Sequence, residues 1–307
     1  MSRLHICNTF FESELESETT RPLRAWMESH AIVKKLQLLP ICYAEPSDLI
    51  LVSELPENPD PRLLLEGKKG MEIESWGPSL AIKDWADAHG LLYDMPPWGL
   101  VKEINSKIFS FTHSPHLKGA ALLESARDVH LWMEKTAGPK VLKSAFGTAG
   151  KGHFHVGKSP NLTAFLEKQF RMNIPIIGEP WVNRTLDFST QWKNGECLGP
   201  TLFESDAYGS YRATKVGPNV FKGFEWALEE HLRIAKPLVE KIQTMGYFGH
   251  LGIDAFVYDE KKLQPIVEIN ARKTMSYAAL MMQRKNPQKT LRFSFSPKTS
   301  FSVSIER

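Results

Sequence analysis

Over the first third of the chain, short apolar runs alternate with amphipathic stretches. LHICNTFF and DLILVSEL have the length and apolar density of strands. TRPLRAWMESHAIVKKLQLL and PSLAIKDWADAHG space their apolar residues as helices do, and Gly90 is placed to end the second as a C-terminal cap. This alternation predicts a small α/β layer domain. The pattern changes near residue 115, where Ser114-Pro115 supplies an N-cap and a first-turn proline. A helical stretch, HLKGAALLESARDVHLWMEKT, is predicted to follow and to end before Gly138-Pro139. Strands are then predicted at KVLKSAF and HFHVGK, joined by the loop GTAGKG, with a helix over NLTAFLEKQF after Ser159-Pro160. IPIIGEPWV reads as a strand, and DFSTQWKNGECLGPTLF as a hairpin turning at Asn194-Gly195. A long helix, FEWALEEHLRIAKPLVEKIQTMG, contains Pro237, which predicts a kink. HLGIDAFVYD and LQPIVEIN flank a turn at Asp259–Lys262. The tail from Asn286 alternates in SFSPKTSFSVSI, as an edge strand or a loose end would.

Composition narrows the function classes. The 307 residues are 42% hydrophobic and 24% charged, with a formal charge of +3 and no basic stripe, so nucleic acid is not an expected partner. Arg284, Lys285, Lys289, Arg292 and Lys298 read as a solvated run. No apolar run approaches the ~20 residues of a membrane span. The N-terminal stretch turns acidic where a signal peptide would be apolar, and Cys7, Cys42 and Cys197 form no paired motif. A cytoplasmic, reducing setting is the expectation.

The candidate chemistry begins in VLKSAFGTAGKGHF. A P-loop would need glycine at position 145, which is Ala145, and Ser or Thr after Lys151, which is followed by Gly152. A dinucleotide fingerprint would need glycine at Ala149 and a helix afterwards. The loop therefore joins two antiparallel strands, either as a flap donating N–H groups to a triphosphate or as an ordinary flexible hairpin. A hundred residues on, Glu268 and Asn270 lie two apart on one strand and so share a face, and a short hairpin brings Asp254 opposite them. Two carboxylates and a carboxamide make a hard oxygen set suited to Mg²⁺, with solvent-facing acids beside a turn as the alternative. The apolar neighbours Ile266, Val267 and Ile269 favour a cation partner for these acids.

In this order, the pieces resemble the ATP-grasp ligases of the carboxylate–amine type. Asn105-Ser-Lys107 is similar to the family's early lysine at a helix start, and Lys143 to its second nucleotide lysine. Gly147, Thr148, Ala149 and Gly150 fall in the segment similar to the glycine-rich flap. GEPWV resembles the adenine-reading hinge, with Glu179 on the amino group or ribose and Trp181 and Val182 beside it; Asp187 opens the large lobe. Lys215 sits where a phosphate lysine often lies, and Asp254, Glu268 and Asn270 match the metal set. The resemblance implies an α/β (α+β) ATP-grasp fold over residues 113–285, with a lid lobe at 113–182 and a large lobe at 183–285. A small Rossmann-like domain at 1–112 would precede it and a tail at 286–307 would follow.

What the resemblance implies chemically is an ATP- and Mg²⁺-dependent ligase, Mn²⁺ being an alternative metal. It would join the carboxylate of an amino acid or small peptide to an amine, or less often a thiol, through an acyl phosphate. Arg272 and Lys215 are the expected catalytic cations, and Tyr211, Arg212 and Lys273 the expected substrate contacts. The Pro-Gly pair that D-alanine–D-alanine ligases carry after this asparagine is absent, and Gly252 stands where they place an arginine. A kinase and a non-catalytic nucleotide-binding protein are the competing readings. Small molecules are the expected partners, with no membrane partner, and the resemblance implies a homodimer.

Overall fold

The computed structural model describes residues 2–17, 19–147, 152–171, 173–206, 209–296 and 300–306. The chain opens with β1 (Arg3–Ile6), α1 (Phe11–Glu16), α2 (Leu23–Met27), α3 (Ala31–Leu36), a 3₁₀ turn (Leu39–Cys42), β2 (Leu49–Leu51), β3 (Leu63–Leu64), β4 (Glu72–Ser75) and α4 (Leu80–His89). The four strands form a parallel sheet in the order β3-β2-β1-β4. Its core gathers Leu4, Ile6, Leu51, Ile73 and Ile82. As expected, Gly90 ends α4 with φ 66°, while Ser79 caps its start by accepting from the Ile82 N–H. The long helix expected over residues 20–39 is instead broken. His30 is extended (φ −150°, ψ 147°) and starts α3 anew, because the chain must bend to lay both short helices on the sheet.

Next come α5 (Trp98–Asn105) and α6 (Lys107–His113), two helices the hydrophobic pattern did not separate. The helix expected from Ser114 is replaced by a turn, β5 (Ala121–Leu123) and α7 (Ala126–Lys135). Ser125 rather than Ser114 caps α7, accepting from Asp128 N–H and bonding the Asp128 carboxylate. Pairing of β5 with β8 (Ile176–Pro180) outweighs the helical spacing of HLKGAALL. With β6 (Lys140–Lys143) and β7 (His153–His155), these strands make an antiparallel sheet ordered β5-β8-β6-β7, backed by α7 and α8 (Leu162–Phe170). The glycine-rich segment joins β6 to β7, strand to strand.

The largest sheet contains β9 (Arg184–Lys193), β10 (Glu196–Ser205), β11 (Tyr211–Val216), β12 (His250–Tyr258), β13 (Lys262–Asn270), β14 (Thr290–Ser296) and β15 (Ser300–Glu306). Their order is β13-β12-β9-β10-β11-β14-β15, every neighbouring pair being antiparallel. Asn194 and Gly195 both take positive φ (47° and 83°), the hairpin turn their sequence predicts. The tail adds β15 as the outer strand of this sheet. Helix α9 (Glu225–Thr244), with Pro237 inside it, packs on the face bearing Phe188, Trp192, Ile253 and Ala255. On the other face, α10 (Met275–Arg284) covers Val216, Leu291 and Phe293. Val101, Ile104 and Phe109 of α5 and α6 share a core with Ile253, Ile266 and Ile269. Two side chains fasten these helices to the end of β13: Asn105 Oδ1 accepts from Ala271 N–H and Ser110 Oγ from Ile269 N–H. Among the described residues no helix is long and apolar enough to cross a membrane.

Candidate nucleotide and metal site

Two strands bring the acids together. Asp254 on β12 is paired with Glu268 on β13, and Gly252 with Asn270, so both carboxylates and the carboxamide stand on one face. Beyond Glu268 the ladder bulges, with Pro265, Ile266 and Val267 set against Ala255 alone. Proline has no N–H for a ladder and is at home in such a bulge. Asn270 Nδ2 donates to Asp254 Oδ2 at 3.3 Å, which leaves the amide oxygen for another partner. Burial first, and then the neighbouring Glu268 charge, push the Asp254 carboxyl up to about 7. Gly252 is required at its place: a Cβ there would lie 2.7 Å from the Thr274 methyl and 3.4 Å from Gln191 Oε1, so an arginine has no room.

Cations approach from two sides, Lys107 from α6 and Lys143 from β6 of the smaller antiparallel sheet. Ser106 caps α6, and the adjacent Lys107 sends its Nζ to Gly147 O (2.8 Å) and to Glu268 Oε1 (3.3 Å). Gly147 has φ 133°, open to glycine and hardly to other residues. Lys143 is 3% exposed and ion-paired with Glu179. Burial pushes its ammonium pKa down against the opposing pull of Glu179. Both lysines and Glu179 line a cleft with Ile177, Gln264 and Phe111. The linker from β8 to β9 passes beside it, with half-buried Trp181 and Val182 and with Trp181 N–H donating to Pro139 O. Asp187 points to the Asp254 face and accepts from Arg184 Nη1 at 3.2 Å; burial pushes its carboxyl up.

Sequence reading missed several members of this group. Arg184 lays its guanidinium 4.2 Å from the centre of the Phe256 ring and 5.1 Å from that of Trp181. His153, cross-strand from Lys143, is pushed down to about 2 by burial and by Lys143, Lys107 and Arg184. Ser189 and Gln191 lie on the cleft face of β9, each 1% exposed. The alternation of polar residues in DFSTQWK signals that face; Arg184 and His153 had no such signal.

Thr148, Ala149 and Gly150 lie outside the described residues. Four other expected residues are not brought to the acids. Lys215 is paired with Leu202, Leu202 with Phe188 and Phe188 with Ala255. That row is one residue out of step with Asp254, so Lys215 points to the opposite face, 3.5 Å from Glu204. Tyr211 bonds Thr214 Oγ1 at 2.9 Å, and burial pushes its hydroxyl up to about 12. Arg212 is exposed and pairs with Asp206 at 2.7 Å. Lys273, 1% exposed, is turned into the junction with the first domain, where its Nζ lies 2.8 Å from both Glu74 Oε1 and Ser75 O. Arg272 stays near the acids, pairing with Glu12 of α1 and donating to Lys273 O at 3.1 Å.

Among the described residues no group of three His, Cys, Asp or Glu side chains is arranged to hold a metal. Asp254, Glu268 and the amide oxygen of Asn270 would supply part of an oxygen shell, since Mg²⁺ bound with nucleotide takes its remaining ligands from phosphate and water. The residues thus fit such an ion as a shared, incomplete cage.

No family model matches the chain. A stretch of 140 residues is 30% identical to the butirosin acyl-carrier protein–L-glutamate ligase of Niallia circulans, covering 44% of this chain and 33% of that protein. The chain therefore spans about a third of the length of the curated relative it matches. Among solved structures, the ADP complex of N5-carboxyaminoimidazole synthetase from Staphylococcus aureus aligns at TM-score 0.52, with 13% identity, over 85% of this chain and 79% of its own. The ADP complex of another N5-carboxyaminoimidazole ribonucleotide synthetase gives 0.53, with 11% identity, over 84% and 78%. A biotin carboxylase–ATP complex from Campylobacter jejuni gives 0.51, with 12% identity, over 73% and 58%. At such identities the likeness is one of fold, and the fold is ATP-grasp with a preceding α/β domain.

Proposed function

We propose that the protein is an ATP- and Mg²⁺-dependent ligase that joins a carboxylate to an amine through an acyl phosphate. The observation that carries this reading is the pairing of Asp254 with Glu268 at a cleft lined by Lys107 of α6 and Lys143 of β6. Two like charges side by side are costly unless a cation joins them. Asp254, Glu268 and Asn270 are the residues that would hold the ion, which when bound neutralises phosphate charge during transfer.

Around it, the protein's own groups have distinct tasks. Lys107 and Lys143 hold phosphate oxygens, and Glu179, Trp181, Val182 and Asp187 border the nucleoside. Gly147 begins the segment that covers the phosphates and keeps water from the acyl phosphate. Arg272, two residues beyond Asn270, faces the attacking carboxylate. In the first step a carboxylate oxygen attacks the γ-phosphorus and the bond to ADP breaks. In the second the amine attacks the acyl carbon, phosphate leaves, and the amine loses a proton. No side-chain nucleophile is needed.

The dispersal of Lys215, Arg212 and Lys273 weighs against a kinase, which would need a strongly basic acceptor pocket. Similarity to a carrier-protein–L-glutamate ligase supports an amino acid as one substrate, and suggests adding L-glutamate and carrier-bound acids to the trial set. The assembly in this reading is a cytoplasmic homodimer. The test is release of ADP and phosphate from ATP against pooled amino acids, small peptides and amines. Release of both that depends on the amine supports the ligase. ADP without free phosphate means a kinase, and ATP binding without turnover means a non-catalytic protein.

A further inference from the structure

On the cleft face of β9, Asp187, Ser189 and Gln191 alternate, and the last two are as buried as the apolar core. Gln191 is bonded at both ends. Its Nε2 donates to Ser189 Oγ at 2.9 Å, and its Oε1 accepts from Thr274 Oγ1 at 2.8 Å. Ser189 in turn is the cross-strand partner of Asp254, on the same face of the sheet. Thr274 is the N-cap of α10, its hydroxyl oxygen accepting from Tyr277 N–H at 3.3 Å. A buried amide and a buried hydroxyl cost stability unless every bond is made. The opposite face of the same strand is filled by Phe188, Thr190 and Trp192, so polarity here is not forced by the packing of β9 itself.

The bonds can run in only one sense. The Thr274 hydroxyl donates into the Gln191 carbonyl, which turns the Gln191 amide nitrogen toward Ser189. Ser189 oxygen receives that proton, which leaves the Ser189 hydroxyl proton for its cross-strand neighbour Asp254. Ionised, as a metal ligand must be, Asp254 only accepts, and the chain ends there. With Asn270 Nδ2 on Oδ2 and Ser189 across the strand, Asp254 sits between two polar groups of the protein and beside its partner Glu268. Gly252 belongs to the same device, since a side chain there would strike the Thr274 methyl and touch the Gln191 amide.

We propose that Ser189, Gln191 and Thr274 are positioning residues, a buried relay that aims Asp254 at a divalent cation and ties it to the start of α10. The proposal rests on the reading of Asp254, Glu268 and Asn270 as the metal set. The relay's far end follows directly on Lys273, whose N–H donates to Trp76 O and whose ammonium is gripped by Glu74, so the metal ligand is anchored to the segment that the first domain holds.

The test is Mn²⁺ titration of the ADP-bound protein followed by electron paramagnetic resonance, with ADP affinity measured separately in EDTA. Gln191→Met keeps the volume and removes both bonds; Ser189→Ala removes the donor to Asp254. Each is expected to weaken Mn²⁺ about 10- to 100-fold, the usual effect of losing a residue that orients a metal ligand, with metal-free ADP affinity unchanged. Ser189→Thr, which keeps the hydroxyl, restores affinity. If Gln191→Met does not fold, Thr274→Val against Thr274→Ser makes the same comparison at the end of the relay. A lowered melting temperature with wild-type Mn²⁺ affinity means a purely structural row and overturns the proposal. Glu268→Gln separates the two levels of inference. If it loses Mn²⁺ while Gln191→Met keeps it, the relay is wrong and the metal site stands; if Glu268→Gln binds Mn²⁺ normally, the metal site falls and the relay with it.

Discussion

Two buried groups of charges lie close together in this chain and are built on opposite principles. At the junction with the first domain, Glu74 is surrounded by Lys273 Nζ (2.8 Å), His250 Nε2 (3.3 Å), Arg3 Nη1 (3.6 Å) and Lys193 Nζ (3.8 Å). Burial alone would push its carboxyl up, yet Lys273, His250 and Lys193 together hold it well below the usual carboxylate range. In the cleft, Asp254 faces a second acid and is pushed up to about 7. The first group closes four basic side chains around one acid, and ties β4 to β12 and the residues after β13. In the second, Lys107 reaches Glu268 at 3.3 Å while Asp254 is left facing it, the arrangement that the proposed reading completes with a cation. Charges left in conflict mark where a ligand binds, while charges resolved within the fold mark structure.

The largest expected effect breaks the first group. Glu74→Gln leaves Lys273 buried without its counter-charge and should cost about 3–5 kcal/mol of unfolding free energy, read by urea denaturation. Glu268→Gln should do the reverse, lowering ATP turnover about 100-fold or more while changing the melting temperature little, because relief of repulsion from Asp254 offsets the lost ion pair with Lys107.

Acid sensitivity sharpens the contrast, because the two groups have opposite signs. Asp254 is raised from an ordinary 3.8 to about 7, so the folded protein binds the extra proton between those values. Its contribution to stability therefore falls as pH rises from about 4 to 7, and in metal-free protein Asp254→Asn should flatten that slope. Glu74 is lowered from 4.5, so its contribution is present above that pH and is lost as pH falls below it; Glu74→Gln should remove that part of the acid lability. The smallest effect belongs to Lys215→Ala. It removes a partly exposed ion pair on the far face and should leave turnover within about twofold and stability within about 1 kcal/mol.

Much of the cleft was legible because its chemistry repeats at short range. Two-residue spacing put Glu268 and Asn270 on one face, and the failure of VLKSAFGTAGKGHF to match a helix-opening phosphate motif identified a strand-to-strand connection. Both survive in β13 and in the pairing of β6 with β7. What could not be read depends on register and distance. Lys215 is polar and follows an alternating strand, but only the pairing through β10 and β9 shows which face it takes. Lys273 follows Arg272 and looked available for substrate, but its partner is supplied by β4 of another domain. The helices α5 and α6 fall within residues expected in the first domain, yet they share a core with β12 and β13, a contact no local pattern reports.

The most direct test is a crystal structure of the protein with Mg²⁺ and a non-hydrolysable ATP analogue. The account predicts a cation about 2.0–2.1 Å from oxygens of Asp254, Glu268 and Asn270, shared with the phosphates, with Lys107 and Lys143 on the phosphate oxygens. A triphosphate seated elsewhere, or a cation held without those three residues, would contradict it.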